Sequence, residues 1–147
     1  MSMKDRLLSD MKQAMKDKDV VRKNTVQLVR ASVLQEEKDK KVVLDEEGVL
    51  DVIARELKKR RDVLPQYEKS QRDDLVRELQ AEIAVLLEYL PQQLSVEELQ
   101  NIIQSSIAKT NATSMKDMGA LMAEIMPQIK GRADGKLVNQ MVRDYLS

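Results

Sequence analysis

What this chain lacks narrows its chemistry before any motif is read. It contains no cysteine, so disulfides, thiol catalysis and thiolate-held zinc are excluded. It contains no histidine, which removes the commonest general base at neutral pH and the commonest metal ligand. Phenylalanine and tryptophan are absent and aromatic residues make up 2%, so the core must come from Leu, Ile, Val, Met and Ala. Only four glycines and three prolines interrupt the 147 residues, too few for a turn-rich β sandwich. No apolar run approaches the ~18 residues of a membrane span. Net charge is also missing: 25 basic residues balance 25 acidic ones, six of each in 93–147 and 19 of each in 1–92. Neither part is a basic arm of the kind that coats nucleic acid, so any RNA contact must come from a local patch.

What is present favours helix. Hydrophobic residues (42%) and charged residues (34%) are rich in Leu, Glu, Lys, Gln and Arg. A first helix is capped by Ser2 and carries Met3, Leu7, Met11, Ala14 and Met15 at helical spacing, up to a break at "KDKD" (16–19). A second helix is expected from Asp19 to Glu37, with Val21, Thr25, Leu28, Val29 and Ser32 near one face and Val26 and Val33 beside it. A linker follows at 38–45. Asp45 caps a third helix holding Val49, Ile53, Leu57, Leu64 and Tyr67, which Pro65 is expected to kink. "EKSQRDD" (68–74) separates it from a fourth, with Leu75, Leu79, Ile83, Leu86 and Leu90 in one stripe, ending at "YLP". Ser95 and Glu98 then form a capping box before Leu99, Ile102, Ile103, Ser106 and Ile107. After a loop at 109–114, Ser114 and Asp117 open a helix with Met115, Met118, Met122, Ile125 and Ile129. The last helix starts near Asp134 and buries Val138, Met141, Val142 and Tyr145. The expectation is an all-α protein: a helical N-terminal domain of four longer helices over 1–92, then a small three-helix domain over 93–147. The amphipathic, acid-bearing start "MSMKDRLLSDMK" is unlike a signal or transit peptide, which points to the cytoplasm.

The stretch "KGRADGK" (130–136) invites comparison with a phosphate-binding loop and fails it. Three residues rather than four lie between the glycines, Leu137 occupies the position of the Mg²⁺-binding hydroxyl, and a helical segment containing Pro127 leads in instead of a strand. A helix-to-helix corner accounts for most of it. Gly131 suits a positive-φ C-terminal cap, Lys130 and Arg132 lie near the negative end of the incoming helix, and Asp134 caps the outgoing one with Gly135 in the turn. Lys136 and Asn139 are left over, and a cation near a helix N-terminus is mildly unfavourable. Lys130, Arg132, Lys136 and Asn139 are therefore candidate anion contacts, with nucleic-acid phosphate as one ligand. The run "KKRR" (58–61) spreads over ~300° of a helix and reads as a solvated face, with Arg55 able to join part of it in a stripe. Methionines 115, 118, 122 and 126 read as core, with a partner-binding face as the alternative. "DEE" (45–47) suits a helix start, and Ser95 and Ser114 are caps rather than nucleophiles. No catalytic residue, metal ligand or cofactor is assigned.

"YLPQQLSVEEL" (89–99), "DMGALM" (117–122) and "KGRADGKLVNQMV" (130–142), in that order, resemble the GatB/YqeY family. The second part is similar to the tail domain at the C-terminus of the GatB component of glutamine-dependent aminoacyl-tRNA amidotransferase, and the whole chain to stand-alone YqeY-like proteins. The resemblance implies a four-helix bundle followed by a three-helix tail. It implies tRNA, or an amidotransferase or aminoacyl-tRNA synthetase assembly, as partner. It also implies a link to carbon–nitrogen ligase chemistry with glutamine as amide donor. The chain is too short to hold that enzyme's catalytic cradle or a glutaminase, so a non-catalytic accessory module is expected. The alternatives are an auxiliary subunit active only within an amidotransferase complex, and a protein–protein adaptor.

Overall fold

The computed structural model describes residues 1–147. The protein is all-α, with no strand: α1 (Met3–Lys16), α2 (Val20–Lys40), α3 (Glu46–Lys69), α4 (Asp73–Leu87), α5 (Val96–Thr110), a 3-10 turn (Met115–Asp117), α6 (Met118–Ile129) and α7 (Gly135–Leu146). It divides into two compact units, Met1–Leu90 and Pro91–Ser147. No helix is long and apolar enough to cross a membrane.

In the first unit α1 packs on α2, α3 on α4, and α2 on both α3 and α4. Leu7, Val26, Val29, Val49, Ile53 and Leu86 are the centre of its core. The caps follow from the sequence. Ser2 accepts from the Asp5 N–H, Asp19 from Arg22 and Asp45 from Gly48, each satisfying one of the orphan donors of a helix start. α2 runs three residues past its expected end at Glu37, because Gln35 donates to Asp39 and Lys40 to Glu36 one turn back. It closes on Lys41, which is left-handed at φ 55°. Leu28 is 47% exposed although its spacing suggests the core, and Met15 is exposed as well. α3 continues through Pro65 to Lys69. Beyond Arg60 it has no buried residue; Leu64 and Tyr67 are half-buried. Val85 and Tyr89 are buried on α4 and the turn after it, and neither belongs to the apolar stripe of the sequence.

The second unit is a three-helix cluster around Leu99, Ile103, Leu121, Ile125, Ile129, Val138 and Val142. Both halves of the Ser95–Glu98 capping box are made, at 3.1 Å each. α5 extends to Thr110 and ends on left-handed Asn111. Asp117 accepts from the Thr113 and Ser114 N–H groups, and these bonds hold its carboxyl below the usual range. Only half of the methionine run packs on this core. Met118 and Met122 are partly buried, whereas Met115 is 42% and Met126 44% exposed, and Leu121 takes the central place. Tyr145 is likewise exposed, its hydroxyl accepting from Gln104 at 3.1 Å, and Leu146 is buried instead.

Candidate anion-binding corner

The corner between α6 and α7 is built from residues 130–136. α6 ends where Lys130 leaves helical geometry, and Gly131 adopts φ 74°, a value that a side chain would disfavour. The N–H groups of Arg132 and Ala133 both donate to the Ile129 carbonyl, satisfying the helix end. Asp134 caps α7 by accepting from the Lys136 N–H at 3.0 Å.

A strap of non-helical chain, residues 91–95, lies along this corner and is tied to it by three hydrogen bonds. The Leu94 N–H donates to the Arg132 carbonyl at 2.8 Å. The Gln93 side-chain amide donates to the Gly131 carbonyl at 2.8 Å, and Arg132 Nε donates to the Gln92 carbonyl at 3.4 Å. "PQQLS" and "KGRAD", some 40 residues apart, are thus one structural element. Nothing in either stretch alone points to the other, and only their place within one family resemblance hints that they belong together.

The four predicted contact residues do not play equal parts. Lys130 and Lys136 project from the exposed surface at either end of the corner. Arg132 is half-buried and anchors the strap, and it also helps to hold the Glu98 carboxyl low, after the stronger effect of the Ser95 N–H. Asn139 lies one turn along α7, where its Oδ1 accepts from Arg143 Nε at 2.8 Å. Lys136, Asn139 and Arg143 fall at i, i+3 and i+7, on one flank of α7. Arg143 is not among the contacts predicted from sequence, and this spacing is the signal that could have found it.

Gly135 differs from Gly131. Its φ is not positive, and a Cβ built on it would meet no atom within 4 Å. The fold itself does not need glycine at the first position of α7. The space left free lies beside the Lys136 backbone at the positive end of the helix, where an anion is stabilised.

The basic run in the first unit is mostly consumed internally. Arg60, 8% exposed, donates from Nη1 to the Glu56 carbonyl and to Glu56 Oε2, both at 3.0 Å, and lies 3.7 Å from Glu82. Glu56 also accepts from Lys59 and from the Ser32 hydroxyl. Burial alone would push the Glu56 carboxyl up, but the bonds from Arg60, Lys59 and Ser32 outweigh it and hold the value below the usual range. Arg55 donates to Glu36 at 2.5 Å, and Lys58 pairs with Asp62 at 3.0 Å. The charged groups of α2 and α3, Glu36, Arg55, Glu56 and Lys59 among them, line a cleft of about 420 Å³ and already neutralise one another. No group of three acidic side chains converges to hold a metal ion.

Altered inheritance of mitochondria protein 41, mitochondrial, of Pyrenophora tritici-repentis is 25% identical over 144 residues, 96% of this chain and 79% of that protein. Its namesake from Kluyveromyces lactis is 37% identical over 84 residues, 56% of this chain and 45% of the relative. A glutamyl-tRNA(Gln) amidotransferase subunit of Methanococcus maripaludis is 40% identical over 57 residues, 36% of this chain, and the chain spans only 9% of that relative's length. Residues 4–146 match the family described as Yqey-like protein. With nearly its whole length accounted for, the chain belongs to the Yqey-like protein family.

Proposed function

We propose that this protein is a helical accessory module, without catalysis of its own, that binds tRNA through the α6–α7 corner in the setting of aminoacyl-tRNA amidotransferase chemistry, the carbon–nitrogen ligase reaction that uses glutamine as amide donor. Gly135 is the observation that carries the reading. A glycine unnecessary to the fold, flanked by Arg132 and Lys136 at a helix start, suits close approach of a phosphate to the backbone. The similarity to an amidotransferase component supplies the RNA class. Lys130, Arg132 and Lys136 are the proposed phosphate contacts, with Asn139 acting through Arg143. The protein works in the compartment where tRNA is charged, the cytoplasm on our reading; two of the relatives are named as mitochondrial.

Titration of tRNA across a salt series tests this. Three phosphate contacts give a slope of log affinity against log salt of about −2 to −3, and Lys130→Ala with Lys136→Ala should reduce its magnitude by about 2. Gly135→Leu should weaken binding with helicity intact. Binding unchanged by all three substitutions removes the site, and absence of binding at low salt removes the RNA role.

The partial similarity to the Methanococcus amidotransferase component also favours a second reading, an auxiliary protein that acts only inside an amidotransferase complex. Adding the protein to a purified amidotransferase reaction should then raise rate or specificity, and an unchanged reaction at saturating protein refutes it.

A further inference from the structure

Aromatic rings are scarce in this protein, with three tyrosines and no phenylalanine or tryptophan. Tyr89 is buried and Tyr67 half-buried, so Tyr145 is the one ring left exposed. It borders a cavity of about 290 Å³ lined by Gln100 of α5 and by Met141, Asp144 and Tyr145 of α7. Gln104 fixes the ring by donating to its hydroxyl at 3.1 Å. Asp144 is the one charged residue of the lining. It stands in the last turn of α7, the negative end of the helix, where an acid is mildly unfavourable. No lysine or arginine pairs with it, and its carboxylate accepts from Gln140 Nε2 at 2.9 Å. Arg143, the next residue, is turned about 100° away round the helix and is held by Asn139. An exposed ring and a carboxylate without a cation add nothing to this fold, and both line one cavity.

We infer that this cavity takes an unpaired guanine base of the bound RNA. The inference rests on the tRNA reading above and adds a base-reading pocket to its phosphate contacts. Proteins recognise unpaired bases by stacking them on aromatic rings and bonding to their Watson–Crick edges. The exposed Tyr145 ring, with the thioether of Met141 beside it, supplies the stacking surface. The carboxylate selects the base. Of the four bases only guanine presents two adjacent donors, N1–H and N2–H, which match the two oxygens of Asp144. Adenine and cytosine turn a ring-nitrogen lone pair, and uracil a carbonyl oxygen, against the same carboxylate. The Gln100 amide, across the cavity on α5, is a donor for guanine O6. An arginine side chain carries the same paired donors, and the surroundings decide against it. Lys136 and Arg143 stand on the adjoining flank of α7, where they suit the phosphates on either side of a base and oppose a second cation. Asp144 lies about 12 Å along α7 from Lys136, within reach of one strand crossing the corner.

The test titrates the full chain at low salt with uridine oligomers of about eight nucleotides carrying one central guanosine, inosine or adenosine. The guanosine oligomer should bind at least about fivefold more tightly than the adenosine one, with inosine, which lacks the N2 amine, between them. Asp144→Asn should erase the preference. Tyr145→Leu should weaken binding of the guanosine oligomer about 5- to 100-fold. Both variants should keep the circular dichroism and the salt slope of the parent. Lys130→Ala with Lys136→Ala should do the reverse, lowering the slope and keeping the preference. RNA binding indifferent to the central base and to both pocket variants overturns the inference and leaves the corner as the RNA site. Absence of binding at low salt overturns the pocket and the corner together. A shift of the Met141 methyl resonance with the peptide Gly-Arg-Gly but not with guanosine monophosphate gives the cavity to a partner's arginine, and that too overturns it.

Discussion

Glu56, 4% exposed, holds Arg60, Lys59 and Ser32 at once, and Arg60 Nε finds no hydrogen-bond partner. Removing the carboxylate leaves a buried guanidinium with one distant acid, so Glu56→Ala should cost ~3 kcal/mol in urea denaturation. The same cluster sets a pH dependence. A carboxyl whose folded value is lowered contributes stability that is complete above its unfolded value, near 4.5, and is lost as pH falls through the folded value. Glu36, held low by Lys40 and Arg55, and Glu37, held low by Lys4 and the Leu44 N–H, act in the same direction. Urea midpoints should therefore hold steady from about pH 7 down to about 5 and drop below about 4.5, with a shallower drop in Glu56→Gln. Gly135 makes the opposite kind of prediction. Gly135→Ala should leave stability equal or higher by up to ~0.5 kcal/mol, since a methyl fits and alanine is the better helix former.

At the scale of the element, the helix starts are legible in the sequence and the faces less so. Ser2, Asp45, Ser95 and Asp134 cap as their spacing implies, because a cap is a local arrangement of three or four residues. The face of α2 is not local. Thr25, Val26, Val29 and Val33 are buried and Leu28 is not, so the core arc is turned by about 70° from the expected face of Val21, Thr25, Leu28, Val29 and Ser32, toward the Val26 and Val33 that flank it. α2 packs on three other helices, so its neighbours select the arc that becomes core. Leu121 and the Glu56–Arg60 pair escape a sequence reading for the same reason, since burial of an i, i+4 charged pair depends on what lies across it. Of the candidate corner, Gly131 and Asp134 can be read as a loop closing a helix and opening another; the strap cannot, because nothing local links Gln93 to Gly131. Helix ends offer a separate prediction. Lys18, Lys41, Gln71 and Asn111 are all left-handed without being glycine. Lys18→Gly and Lys41→Gly should each stabilise by about 0.5–1 kcal/mol in thermal melts, and Asn111→Gly by less, because asparagine tolerates this conformation.

At the scale of the molecule, the balance of 25 against 25 charges leaves little long-range attraction for a polyanion, so the tRNA binding we propose would rest on the few cations of the corner. It also leaves little repulsion between copies. Light scattering against pH should show a solubility minimum near the sequence pI of about 6.4, relieved by moving about two pH units either way. The strap has a consequence for dissecting the chain. A fragment beginning at Ser95 would retain α5, α6 and α7 with all their caps, yet lose Gln92, Gln93 and Leu94 and with them three bonds to Gly131 and Arg132. Compared with a fragment beginning at Pro91, it should be less stable by ~2–3 kcal/mol. The loss should be felt at the far end of the sequence, as fraying where α6 gives way to α7. The order of the second unit is therefore set in part by a stretch that contains no helix at all.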